Sequence, residues 1–166
     1  MRIIATLAAT MLCAPASAQP TDTAVEAAFI PRFARYVTWS PAAMPKGSDP
    51  FVLCVIGADP FGAALDDSAR SQLVDGRRIT VRRMDVPAGA DNCQIAFVSG
   101  SRSATVLAAL AGKPILTITN NGGARGIIHF IIADGRVRFF IDQSAATQRG
   151  LAISSRLLAL AIGVKQ

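Results

Sequence analysis

The chain offers few groups that do chemistry: three cysteines, one histidine and eleven acidic residues among 166. Cys54 lies inside the apolar run of "FVLCVIGADPFG". A nucleophilic cysteine needs a lowered pKa from a nearby histidine or helix N-terminus. A strand interior between Leu53 and Val55 supplies neither, and a zinc site needs more ligands than the sequence places nearby. His129 is the only histidine, so a Ser-His-Asp arrangement would have to pass through it. It sits between apolar strand residues with no serine close in sequence. "SGSRS" lacks the strained Gly-x-Ser-x-Gly elbow, and Asp66-Asp67 form no visible acid–base pair. "GADPFG" has neither the dinucleotide fingerprint nor the Gly-Lys-Ser/Thr of a phosphate loop. A helix starting at Asp59-Pro60 would still present backbone N–H groups to an anion, so a small-ligand site near Asp59–Gly62 stays open. No catalytic residue, metal ligand or cofactor site emerges, and His129 reads as a hydrogen-bonded structural residue.

The N-terminus says where such a protein works. "MRIIATLAATMLCAPASA" has a basic start at Arg2, an apolar stretch, and a small-residue ending at Ala16-Ser17-Ala18. That is the layout of a secretory signal, residues 1–18, cut after Ala18. The apolar part is shorter than the roughly 20 residues that span a bilayer. Acylation of Cys13 is disfavoured by the bulky Thr10-Met11-Leu12 before it. Cleavage leaves Cys54 and Cys93, an even count in an oxidising compartment, with one intramolecular connection available. Cys54 therefore reads as structural. The net charge of +6 loses one unit with Arg2. Export argues against nucleic acid as the partner, and the basic residues are scattered, with Arg77-Arg78 and Arg82-Arg83 the densest groups.

The elements alternate. "TAVEAAFIPRFARYVTW" reads as a helix with capping-box spacing at Thr23 and Glu26, a buried stripe of Phe29, Phe33 and Val37, and a kink or late start imposed by Pro31. Residues 51–57 read as a central strand, apolar on both faces. A helix from Asp59-Pro60 to about Leu73 follows, then strands "RITVRR" and "QIAFVS", a helix capped by Ser101, strand "PILTIT" and the turn "NNGG". "GIIHFIIADGRVRFFID" is two strands joined by Asp134-Gly135, a favoured hairpin pair. That register sets Ile132 opposite Val137, Phe130 opposite Phe139 and Ile128 opposite Ile141 on one apolar face. His129, Ile131, Arg138 and Phe140 take the other face. Two short helices end the chain, the second capped by Ser154 or Ser155. The expected fold is a single α/β domain over 19–166, a mixed six-stranded sheet with a C-terminal β-hairpin and about five flanking helices.

The segments "AAFIPRFARYVTW", "LCVIGADPFGAAL", "CQIAFVS", "LAALAGKPILTIT", "GIIHFIIADGRVRFFID" and "GLAISSRLLALA" run in one order through the chain. In that series the chain resembles the YfiR family of periplasmic proteins. The resemblance implies a Cys54–Cys93 disulfide; a further cysteine pair found in some members has no counterpart. Pro31, His129 and Phe140 also depart from the family pattern. The implied role is a periplasmic regulator, not an enzyme. It would repress a membrane-bound diguanylate cyclase or similar receptor through the receptor's periplasmic sensory region. An outer-membrane lipoprotein would capture it in turn, and a homodimer is a further option. No cofactor is implied. The first helix, with Arg32, Arg35 and Tyr36 beside its buried stripe, and the exposed end of the last helix are the candidate partner surface. Two rival classes remain, a small-ligand sensor using a cleft near "GADPFG" and an exported hydrolase.

Intact-mass measurement of the exported protein should give a chain starting at Gln19. A species retaining residues 1–18, or one acylated at Cys13, would contradict the signal assignment.

Overall fold

The computed structural model describes residues 20–120 and 123–166. The signal assignment over 1–18, and residues 121 and 122 of the "NNGG" turn, lie outside the described residues.

Ten strands and five α-helices are interspersed along the described residues. The helices are α1 (Asp22–Phe33), α2 (Ala63–Arg70), α3 (Ser103–Ala109), α4 (Gln143–Gln148) and α5 (Ser155–Leu158). The strands are β1 (Val37–Thr38), β2 (Phe51–Ile56), β3 (Leu73–Val74), β4 (Arg77–Met84), β5 (Ile95–Val98), β6 (Leu116–Asn120), β7 (Ile128–Ala133), β8 (Arg136–Asp142), β9 (Ala152–Ile153) and β10 (Gly163–Lys165). Eight strands form one sheet in the order β10-β8-β7-β6-β5-β2-β4-β3, and β1 pairs with β9 in a separate small sheet. The sheet is mixed: β7–β8 and β3–β4 run antiparallel, the other neighbours parallel. The α/β class is as expected, but the strand count is not six. The additional strands are two or three residues long, too short for a period-2 pattern to declare itself.

Strand β2 sits in the middle and is buried on both faces. Phe51, Leu53 and Val55 join the larger core with Ile30 and Phe33 of α1, Leu65 of α2, Ala146 of α4 and Leu157 of α5. Cys54 and Ile56 turn the other way, into a smaller cluster with Ala96, Val98, Val106 of α3 and Leu110 at its C-terminal end. Four helices thus serve one face and α3 serves the other. Cys54 and Cys93 are joined by a disulfide on the α3 side, with Cα atoms 5.9 Å apart. The bond ties β2 to the approach of the neighbouring strand β5, whose first residue Ile95 pairs with Leu53.

The hairpin has the expected register: Ile128 with Ile141, Phe130 with Phe139 and Ile132 with Val137. Asp134 and Gly135 both take positive φ, 52° and 66°, as a type I′ turn demands. Phe130 and Phe139 meet Phe29 and Phe33 of α1 in an aromatic cluster with centroids 5.3–6.5 Å apart. The apolar face is not closed throughout, because Ile132 is 45% exposed beyond the helix.

Several local expectations are corrected. The cap of α1 is Thr21, whose Oγ1 accepts from Ala24 N at 3.2 Å. Glu26 is no capping residue; it is buried and accepts from Asn120 Nδ2 at 2.7 Å. The helix does not start late, and Pro31 lies two residues before its end. A 3-10 turn over Ala34–Tyr36 then gives way to β1 where the helix was expected to continue. Asp59 does not open α2: its Oδ1 accepts from the Phe61 and Gly62 amides at 2.8 and 3.2 Å, forming a turn of its own before the helix begins at Ala63. Ser101 does not cap α3, which starts at Ser103. Ser154 does cap α5, which is only one turn long.

Replacing Cys54 by Ser should lower unfolding free energy by about 2–5 kcal/mol, the usual cost of losing a native disulfide. Denaturant titration with and without reductant checks this. Equal stability of oxidised and reduced protein would contradict it.

Candidate functional site

The loop after β2 is closed by its own contacts. In a sheet of this order the crevice for a ligand would open between the C-terminal ends of β2 and β5, where the connections diverge. Gly57, at φ +94°, lies so close to the Ser99 carbonyl that no Cβ fits between them. Ser99 Oγ donates to the Ala58 carbonyl, and Phe61 lies edge-on to Phe97 with centroids 4.6 Å apart. Arg83, on β4, then straps the loop to α2. Its Nε donates to Asp59 Oδ2 at 2.6 Å, its Nη2 to Asp66 Oδ2 at 2.6 Å and to the Gly62 carbonyl at 2.9 Å. Burial alone would raise the Asp59 pKa, but the Arg83, Phe61 and Gly62 donors outweigh it and hold the carboxyl below its ordinary value. The Arg83 hydrogen bond does the same for Asp66. The Phe61 and Gly62 amides that an anion would meet ahead of this helix are taken by Asp59, and the Arg83 charge is taken by Asp59 and Asp66. That argues against the sensor cleft expected at Asp59–Gly62.

His129 is buried on β7, between Thr119 of β6 and Phe140 of β8 in register. Its Nδ1 lies 2.8 Å from Thr119 Oγ1, which also accepts from Gly126 N at 2.9 Å. Among the described residues the Thr119 hydroxyl hydrogen has no acceptor other than Nδ1, a pairing that places the ring proton on Nε2. Burial, then the nearby Arg125 charge, lower the His129 pKa and favour the neutral ring. Its first task is structural: with Thr119 and Thr117 it binds the short crossover from β6 to β7, where Thr117 Oγ1 accepts from Ile127 N at 3.1 Å. Gly126 is required there, since a Cβ would stand 2.7 Å from the Thr117 carbonyl. Among the described residues no cluster of three or more His, Cys, Asp or Glu is arranged to hold a metal ion.

The candidate partner residues fall at one corner. Arg32 ends α1, and Arg35 and Tyr36 lie in the turn that follows. Both arginines are exposed, whereas Tyr36 is half-buried against the larger core. The Tyr36 carbonyl accepts from Ser154 N at 2.8 Å, and β1 pairs with β9 beside it. The end of the first helix and the start of the last are thus held together. Exposed Arg156 lies two residues past Ser154, a residue that sequence reasoning missed because the β1–β9 pairing carries no local signal. Leu160, 60% exposed, and Ile162, 46% exposed, follow in the same C-terminal segment.

The described residues thus form a disulfide-linked α/β fold with a basic, partly apolar corner. The YfiR/HmsC-like family model matches residues 23–162, and the chain belongs to that family. The family is one of periplasmic regulators of diguanylate cyclase. No curated protein matches the chain. No helix among the described residues is long and apolar enough to cross a membrane.

The two aspartates bound by Arg83 have lowered pKa values, so the stability they contribute is present above the ordinary carboxylate range and lost as pH falls below about 4. Arg83→Ala should cost about 1 kcal/mol near neutral pH, a modest value because the pairs are partly exposed. The gap between variant and parent should narrow at pH 3, as read by thermal unfolding across pH. An undiminished gap at pH 3 would contradict the ion-pair account.

Proposed function

We propose that this protein is exported to the periplasm and represses a membrane-bound diguanylate cyclase by binding the cyclase's periplasmic sensory region. The observation that carries this reading is the family match over residues 23–162. The protein acts by binding rather than turnover. A periplasmic protein changes a cytoplasmic active site only by binding one receptor state more tightly than the other. A difference of about 1–3 kcal/mol changes activity about 5- to 150-fold. The surface proposed for this contact is the corner of Arg32, Arg35 and Tyr36, extended by Arg156. Exposed guanidinium groups on a fixed scaffold suit an acidic receptor face, since arginine pairs carboxylates through two parallel hydrogen bonds. The same exposed C-terminal segment would be open to an outer-membrane lipoprotein that relieves repression.

Deletion of the gene should raise cellular cyclic di-GMP and promote biofilm, and the exported protein should reverse both. Reversing charge at Arg32 and Arg35 should leave the fold intact and abolish the reversal. Unchanged cyclic di-GMP on deletion would reject the cyclase as target, and full complementation by the charge-reversed protein would reject this corner as the surface.

A further inference from the structure

Among the described residues, the buried cluster that α3 covers takes nothing from β7, β8 or β10. On that side one register row crosses four strands: Thr119, His129, Phe140 and Gly163. A cavity of about 340 Å³ opens there, lined by Arg125, His129, Phe140, Asp142, Gly163 and Lys165 among others. Its shape depends on Gly163. A Cβ there would stand 2.8 Å from the Phe140 ring, so the ring leans over β10 only because that position has no side chain. Arg125 stands over the same ring, with Cζ 5.3 Å from its centroid.

The polar side chains on this cavity are Arg125, His129, Asp142 and Lys165. Arg125 is exposed and, among the described residues, forms no salt bridge. His129 has Nδ1 engaged by Thr119 and Nε2–H without a hydrogen-bond partner among the described residues. Lys165 and Asp142 neutralise one another at 2.9 Å, and the second Asp142 oxygen accepts from Ser144 Oγ and Ala145 N. One cation and one neutral N–H donor therefore remain beside an aromatic ring.

We propose that this cavity binds a small aromatic carboxylate, its ring against Phe140 and its carboxylate on Arg125 and the His129 Nε2–H. The volume falls within the range of small-molecule sites, roughly 300–1,000 Å³. A guanidinium receives a carboxylate through two parallel hydrogen bonds. A single unpaired cation matches a single negative charge, whereas a phosphate dianion would bring a second charge toward Asp142. This site lies apart from the Arg32–Arg35 corner, and the inference does not depend on the cyclase reading.

The test is a ¹⁵N NMR titration of the purified protein with benzoate. Saturable shifts should appear at the amides of residues 125–129, 139–142 and 163–165. Arg125→Gln should weaken binding at least about 10-fold, the usual consequence of losing a charged hydrogen-bond donor, and neutral benzamide should bind the parent protein comparably weakly. Gly163→Ala should push the Phe140 ring into the cavity and weaken benzoate without touching any charge. Arg32→Ala should bind as the parent does. Spectral dispersion shows whether each variant is folded, and Arg125→Gln, at an exposed position, decides the matter if Gly163→Ala is not. Unsaturable shifts, shifts centred elsewhere, or equal binding of benzamide and benzoate would overturn the proposal.

Discussion

A strand buried on both faces must be covered twice, and β2 imposes that requirement on the whole chain. Its odd residues, Phe51, Leu53 and Val55, call for the layer of α1, α2, α4 and α5. Its even residues, Cys54 and Ile56, call for a second layer, and the chain supplies α3 and the disulfide-tethered segment leading into β5. Closing the loop between Cys54 and Cys93 is worth roughly 4 kcal/mol in the chain-entropy account. A single helix cannot span the sheet. The second face is therefore well packed around β2 and β5, and beyond β6 it opens into the cavity beside His129 and Phe140. The thinner of the two layers leaves the cavity at His129 and Phe140 on its side.

What could be read from the sequence was whatever depends on near neighbours. The hairpin register followed from Asp134-Gly135 and the alternation on either side. The central position of β2 followed from its unbroken apolar run. The five helices were legible from capping residues, apolar positions and stop signals, though the starts of α1, α2 and α3 were not. Thr21 took the cap expected of Thr23, and Asp59 folded back on Phe61 and Gly62 rather than starting α2. The first is a competition between two equally suitable threonines two residues apart; in the second, α2 begins after Gly62 with no side-chain cap. The short strands β1, β3, β9 and β10 were not legible because each exists only through its partner.

The surfaces were less legible than the core for the same reason. Arg83 is 24 residues from Asp59 and 17 from Asp66, so "GADPFG" read as a loop open to an anion, while the folded protein fills it from β4. His129 read as structural without its partner Thr119, which lies on the adjacent strand. Arg125, Phe140 and Gly163 come together only through the sheet order β7-β8-β10. No spacing rule along the chain contains that order. Arg32, Arg35 and Tyr36 lie beside a buried stripe in the sequence, and the β1–β9 pair supplies what the sequence could not, their placement next to the start of α5.

For this member of a regulator family, the mode of action we propose is selective binding of one receptor state. The most direct measurement is nucleotide turnover by the intact cyclase reconstituted in vesicles, with this protein added on the side of the sensory region. Turnover should fall saturably with added protein, in parallel with its binding to the vesicles. Saturable binding with unaltered turnover would contradict repression by state selection.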